Sequence, residues 1–283
     1  MNETLKYQPA TMPDRHTYYR HIIQVLKVNT TRSCWMQCRF CDFSTFVPLT
    51  RAHKLPPLTL VDTVQTDPRV TNPCDLIKIR GGLSFFEPWS YIRTAIRLIH
   101  QKNPAPIQAL SAVEIMHFHR VEKTPVEELL EELRWAGASA LGPGGSELLV
   151  EDWRQTMSPW RITAQDWLRI HQLALGAGLK PQASLMVFSG ITKQQILDHI
   201  ALLKGVASLS HLEIKPFRPT KTPLAILERP HILELLAVIQ LIHRELPNVI
   251  IEIHVDHLSQ DTQDLLVMHG VSRLLITREE LEG

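Results

Sequence analysis

The sequence predicts an α/β fold, specifically a (β/α) TIM-type barrel, complete or partial. Three observations predict it. Short β-like runs alternate with helical patterns from about residue 75 to the end, the order in which parallel strands lie beneath crossover helices. Up to eight such runs fall on one chain of 283 residues, 44% of them hydrophobic, which is enough to bury a large core. No linker, internal repeat or low-complexity tract divides the chain, so a single domain over 1–283 is expected.

The first strand is read at 22–29. The segment 45–73 carries Pro48, Pro56, Pro57, Pro68 and Pro73, which leave room only for a short helix near 58–66 and predict an irregular first crossover. Strands follow near 75–80, 107–113, 138–142, 181–187, 211–217, 249–255 and 273–276. Apolar residues recur at helical spacing over 88–102, 125–136, 163–177, 192–204 and 229–246, as with Val126, Leu129, Leu130 and Leu133. Thr124 before Pro125, with Glu127 and Glu128 following, marks a helix start, since a hydroxyl can cap free N–H groups and carboxylates suit the positive helix end. Thr163 with Asp166 repeats the pattern with a shorter acid. In such barrels, chemistry sits at the carboxyl ends of the strands.

Composition narrows the function. Thirty basic residues face 29 acidic ones, for a formal net charge of +1, and no run of like charge builds a basic face. Nucleic acid is therefore not the expected partner. The amino terminus is polar and proline-punctuated, and no window approaches eighteen unbroken apolar residues, which argues against a secreted or membrane-spanning protein. Three of the four cysteines lie within eight positions. That crowding suits a metal site in a reducing compartment rather than a disulfide framework, and a cytoplasmic location is expected.

Cys34, Cys38 and Cys41 follow the first strand as C-x3-C-x2-C. One loop of this length can wrap three thiolates around a cube of iron and sulfide and leave the fourth iron open for a ligand. A zinc site completed by a histidine such as His53 is the alternative, although structural zinc usually shows paired C-x2-C units. Cys74 reads as a small buried residue. Trp35 and Met36 read as packing that shields such a centre. The strand at 75–80 ends in Gly81 and Gly82, which permit positive φ and close approach of the backbone to a ligand.

The cysteine spacing resembles the signature of the radical S-adenosylmethionine (SAM) superfamily. Further segments narrow the resemblance to aminofutalosine synthase, dehypoxanthine futalosine cyclase and the tyrosine-using subunit of deazaflavin (FO) synthase. Gly81-Gly82-Leu83-Ser84 is similar to their GGL-H turn, and A-L-S-A-V-E-I ending at Ile115 to their A-F-S-P-x-E-I. Ala136 to Leu148 resembles A-G-L-x-S-x-P-G-G-G-A-E-I. Arg154 to Arg161 resembles R-x-x-I-x-P-x-K, and Phe217 to Leu224 resembles F-x-P-x-N-T-P-L. The matches run in order from residue 29 to about 224.

The resemblance implies a 4Fe-4S cluster on Cys34, Cys38 and Cys41, with SAM on the open iron. It further implies Phe40 beside the adenine, Gly81 and Gly82 at the SAM amino group, and Glu147 on SAM. Arg154 would meet a SAM or substrate carboxylate, its planar fork suiting either. Gly144 and Gly145 would let the chain pass close to the cofactor. Barrel geometry aims Glu114 and Glu147 at one mouth, and an extended backbone would turn His117 and His119 to one side. Glu114, His117 and His119 are thus the catalytic candidates, and His254 and His257 close another predicted strand. The implied domain has an N-terminal extension over 1–21, a core over 22–224 with the cluster and SAM site, and a shortened C-terminal barrel closure over 225–283.

The implied activity is reductive cleavage of SAM to a 5′-deoxyadenosyl radical used on an aromatic or nucleoside-like small molecule in cofactor or quinone biosynthesis. That is carbon–carbon bond chemistry of a transferase or lyase, fed by a flavodoxin- or ferredoxin-type electron donor. An aromatic amino-acid lyase and a non-catalytic iron–sulfur or zinc-binding paralogue remain open as alternatives. Ser84 in place of the turn histidine, Ser146 after two glycines instead of three, and a tail that stops at Gly283 point to an altered substrate side.

Overall fold

The computed structural model describes residues 22–41, 43, 59–218 and 227–282. His53 and the segment from Pro219 to Leu224 lie outside the described residues.

Eight parallel strands form one sheet: β1 (Ile22–Asn29), β2 (Leu76–Arg80), β3 (Ile107–Ser111), β4 (Ala138–Gly142), β5 (Gln182–Val187), β6 (His211–Pro216), β7 (Ile250–His254) and β8 (Arg273–Glu282). Their order is β4-β3-β2-β1-β8-β7-β6-β5, so β1 pairs with both β2 and β8. The sheet curls until its two edges nearly meet. Between β4 and β5 there is an isolated parallel bridge from Ala140 to Lys180, with Leu141 N–H donating to the Lys180 carbonyl (3.1 Å). The predicted barrel is therefore present and nearly closed.

The covering helices are α1 (Leu60–Thr66), α2 (Trp89–Lys102), α3 (Ala112–Glu122), α4 (Val126–Trp135), α5 (Glu151–Met157), α6 (Ala164–Gly176), α7 (Lys193–Leu203), α8 (Ile232–Glu245) and α9 (Gln260–Met268). Each strongly periodic one buries a single stripe, as α2 does with Trp89, Ile92, Ala95, Ile96 and Ile99. The Thr163–Asp166 capping box forms as predicted. The cap at Thr124 does not: α4 starts at Val126 behind Pro125, which places Thr124 one position too early. No helix among the described residues is long and apolar enough to cross a membrane.

One boundary matters for the site. The strand expected over 107–113 stops at Ser111, whose hydroxyl caps the following turn, and the chain enters α3 at once. Helices α5 and α9 and the extension of β8 to Glu282 also exceed the sequence reading.

The barrel interior is polar where such barrels usually carry branched apolar residues. Lys78 on β2, 5% exposed, donates to Glu213 on β6 (3.0 Å) and Glu252 on β7 (3.4 Å). Gln108 and Gln182 hydrogen-bond across the open seam. One ammonium cannot serve two buried carboxylates equally. Burial opposes ionisation of both, yet Lys215 and Lys78 hold Glu213 well below the usual range while Glu252 is pushed up.

Candidate active site

The cysteine loop leaves β1 and is stitched to its neighbours through backbone. Thr30 N–H donates to the Arg80 carbonyl (2.8 Å), Gly82 N–H to the Thr31 carbonyl (2.8 Å), Trp35 N–H to the Leu83 carbonyl (3.3 Å) and Arg39 N–H to the Met157 carbonyl (2.9 Å). The two glycines are required by this approach. A Cβ on Gly82 would stand 2.0 Å from the Ser33 carbonyl oxygen, and one on Gly81 would stand 2.0 Å from Thr30 Oγ1. Their role visible here is thus to let the turn after β2 press against the loop that bears the cysteines.

Cys34, Cys38 and Cys41 come together in one pocket with Met36, Phe43, Gly81, Leu83, Ser111, Val113, Glu114 and Arg161. Cys38 is buried and the other two are partly buried. Burial pushes the Cys38 thiol up to about 12 and raises Cys41, with the Arg161 guanidinium opposing both shifts. Three soft donors in a largely apolar wall beside a buried cation suit an iron–sulfur centre, whose thiolate charge the guanidinium would offset. Among the described residues no three histidine, cysteine or acidic side chains close on a point that a single ion would fill.

Glu147 lies beyond β4 and forms an ion pair with Arg161, both nearly buried. Burial alone would raise Glu147, but Arg161 and then Lys215 bring it down to about 2. Arg161 also lies over the Phe40 ring (5.1 Å to the centroid), and Trp153 stacks on that ring at 5.4 Å. Phe40 is therefore packed between a cation and an indole.

Arg154 lies on helix α5, between Glu147 and Arg161 in the chain. Its guanidinium donates to the backbone carbonyls of Gly145 (2.6 Å) and Ile162. It is 3% exposed and braces the chain that carries Glu147 and Arg161. The arginine facing the cysteines is Arg161, a residue to which the motif alone assigns no role. The signal was its place at the lysine of the R-x-x-I-x-P-x-K pattern.

Glu114 faces the cysteine pocket from the first turn of α3. It accepts from Gly81 N–H (3.1 Å) and from the Ser111 hydroxyl (2.7 Å), and burial raises it to about 7. The expectation for the histidine pair fails because both lie on a helix, where neighbours two apart diverge. His117 donates from Nε2 to the Ser84 carbonyl (2.8 Å) among Trp35, Phe85 and Phe118. His119 turns away and donates from Nδ1 to the Thr124 carbonyl (2.8 Å).

At the far side of the mouth, His254 stands between Glu213 (3.9 Å) and Asp256 (3.8 Å). Asp256 itself is fixed by Thr277 N–H (2.5 Å) and the Thr277 hydroxyl (2.8 Å). Cys74 is partly buried beside Asn103, 3.8 Å from its amide nitrogen, and packs on the core as expected of a small apolar residue.

Comparison with known proteins agrees with this arrangement. The chain is 26% identical over 193 residues to an aminodeoxyfutalosine synthase of Thermus thermophilus, covering 67% of this chain and 51% of that protein. It is 23% identical over 201 residues to a 5-amino-6-(D-ribitylamino)uracil–L-tyrosine 4-hydroxyphenyl transferase of Methanosarcina acetivorans, covering 69% and 52%. The chain thus spans about half the length of the curated relatives it matches. Among solved structures, methylornithine synthase superposes with a TM-score of 0.67 at 13% identity, covering 93% of this chain and 74% of that one. The FeFe-hydrogenase maturase HydG from Carboxydothermus hydrogenoformans gives 0.67 at 14%, covering 90% and 59%. No protein-family model matches the chain. The resemblance to the futalosine and deazaflavin branch of radical SAM enzymes, first drawn from motifs, therefore stands on sequence relatives, and the barrel stands on structural ones.

Proposed function

We propose that this chain is a radical SAM enzyme acting on an aromatic or nucleoside-like small molecule in cofactor or quinone biosynthesis. The observation that carries the reading is the single pocket in which Cys34, Cys38 and Cys41 meet Gly81, Glu114 and Arg161 at the carboxyl ends of the barrel strands. Cys34, Cys38 and Cys41 would hold a 4Fe-4S cluster, with SAM beside Gly81, Gly82, Glu114 and Glu147. Bound together, these groups supply one-electron cleavage of a sulfonium and hence a carbon-centred radical.

The chain's own residues do the rest. Glu147, ionised through Arg161, is an acceptor for hydroxyl or ammonium groups, and Arg154 fixes the backbone from which it projects. Glu114, near neutrality while buried, ionises when a cation enters, which couples its charge to ligand binding. Phe40, Met36 and Leu83 exclude water from the thiols. A small reducing protein of the flavodoxin or ferredoxin type would deliver the electron in the cytoplasm.

Anaerobic reconstitution tests this. The expected protein is brown, absorbs near ~400 nm and releases 5′-deoxyadenosine from SAM under dithionite. Cys38→Ala should lose both colour and cleavage. Colourless wild-type protein that retains zinc and no iron would overturn the proposal.

A further inference from the structure

Leu110, the residue before the last of β3, has φ +55. That is the left-handed region, which glycine adopts freely and a bulky side chain rarely does. The β3–β4 register slips at the same point: Ala109 pairs with Leu141 and Ser111 with Gly142, so Leu110 is an extra residue between two paired positions. This is a β-bulge, a device that bends a strand and re-aims its side chains. Two features hold the strained residue in place. Leu110 is 2% exposed, belongs to the apolar core and borders a small cavity with Thr31, Ile92 and Phe118. Its carbonyl oxygen fills the space where a side chain on Gly142 would begin, 2.3 Å from that Cβ position.

The bulge changes which way Ser111 faces. Gln108 is the register partner of Lys78, whose bonds to Glu213 and Glu252 cross the barrel interior, so Gln108 faces inward too. In a regular strand the side chain three residues on would face outward, toward the helices. With one residue inserted, Ser111 instead lines the cysteine pocket. There it is closely fitted, for a Cβ on Gly144 would stand 2.9 Å from Ser111 Cβ. The Ser111 hydroxyl donates to Glu114 Oε2 (2.7 Å), and Gly81 N–H donates to Oε1 (3.1 Å). Both oxygens of the Glu114 carboxylate are thus held, one from β3 and one from the turn after β2.

We propose that Leu110 is a positioning residue: its bulge, pinned by the buried side chain and by the gap at Gly142, aims Ser111 into the pocket and so fixes the Glu114 carboxylate before SAM binds. The proposal rests on the reading of Glu114 as a SAM contact given above. Strain of this kind persists only where the surrounding structure over-determines it, and it gathers where a side chain must be held ready. A glycine at this position would take up the turn without strain but would give up the apolar anchor that keeps it.

The test uses the full-length protein and two measurements. In anaerobically reconstituted protein at matched iron content, SAM affinity is compared in wild type, Leu110→Ile, Leu110→Met and Gly142→Ala, each with and without Glu114→Gln. Isoleucine keeps the volume of leucine but its branched Cβ resists positive φ, whereas methionine is unbranched and keeps the turn. Gly142→Ala pushes on the same carbonyl from the β4 side. Leu110→Ile and Gly142→Ala should each weaken SAM binding by about tenfold or more and Leu110→Met by less than about twofold, and none should weaken it further in the Glu114→Gln background, because residues acting through one group are not additive. In iron-free protein, hydrogen exchange is read at two neighbouring amides. Gly81 N–H, whose partner is Glu114, should exchange about tenfold faster in Leu110→Ile, while Gly82 N–H, held by the Thr31 carbonyl, keeps its rate. Unchanged SAM affinity, equal losses in both backgrounds, or equal acceleration at Gly81 and Gly82 would overturn the proposal. Failure of both Leu110→Ile and Gly142→Ala to fold would assign the bulge to the fold alone and overturn it as well. Wild type that takes up no iron would sink the radical reading, and the contrast between Gly81 and Gly82 would still decide this one.

Discussion

The β1–β4 half of the barrel and the β5–β8 half position their polar residues by different physics. In the first half the cysteine loop is held to the turn after β2 by backbone hydrogen bonds and by two contacts that only glycine permits. In the second half the polar residues are side chains bound to one another and to Lys78, across 135 and 174 residues of sequence. Local backbone geometry tolerates no substitution at a few points but involves few buried charges. A buried ion network does the reverse, because each charge is stable only while its partners remain. The site therefore rests on a stitched loop in one half and an electrostatic wall in the other.

The largest effect should come from the wall. Lys78→Ala leaves Glu213 and Glu252 buried without their shared ammonium, and removing one member of a buried pair costs about 3–5 kcal/mol. Urea denaturation should show that loss. A loss below about 1 kcal/mol would mean that Lys215 alone suffices for Glu213 and that the wall is not electrostatic in the sense argued.

Next comes Glu114, which joins the two loops of the first half. Its carboxyl is raised from an ordinary value of 4.5 to about 7 by burial. Between those values the folded protein keeps the proton and the unfolded chain has released it, so stability falls as pH rises from about 4.5 to about 7. The fall amounts to at most about 3 kcal/mol, from ~1.4 kcal/mol per pH unit. In iron-free Glu114→Gln the decline over that window should flatten, measured as melting temperature against pH. A decline of unchanged size in the variant would assign it to another group. Gly82→Ala should cost roughly 1–3 kcal/mol by overpacking, because the new methyl meets the Ser33 carbonyl and the chain on both sides is tied down. Its more telling readout is reduced iron retention after reconstitution, since Cys34 Cβ lies 3.0 Å from the same point.

The same contrast explains what the sequence could disclose. The barrel was legible because the strands are short apolar runs between helical patterns: β2 to β8 fall where that alternation puts them, and β1 falls at the run read ahead of it. The cysteines were legible because they lie close together in one loop, and the glycine turn because paired glycines after a strand mark a close backbone approach, although the residues they approach, Thr30 and Ser33, lie far away in sequence. Arg161 was not, since its value comes from meeting Phe40, Glu147 and the cysteines after folding. Arg154 misled for the opposite reason: an arginine in a motif suggests a ligand, and here backbone carbonyls consume its fork. His117 and His119 were misplaced because Ser111, read as strand, serves as a helix cap. Lys78, Glu213 and Glu252 each lie in a strand that reads as core, and nothing local reveals that they share one interior.

The smallest effect tests the joint between the halves. Helix α6 lies between β4 and β5 in the chain, on the side of the open seam, and its N-cap Thr163, two residues after Arg161, exchanges reciprocal bonds with Asp166. Thr163→Ala removes one of them and should lower stability by about 1 kcal/mol. Arg154 independently holds the Ile162 carbonyl, so the chain just before the helix should keep its course. Iron retention and SAM cleavage should then match wild type while the urea midpoint drops slightly. Loss of iron together with a small loss of stability would mean that the cap, rather than Arg154, sets the position of Arg161, and that the two halves depend on each other through the start of this helix.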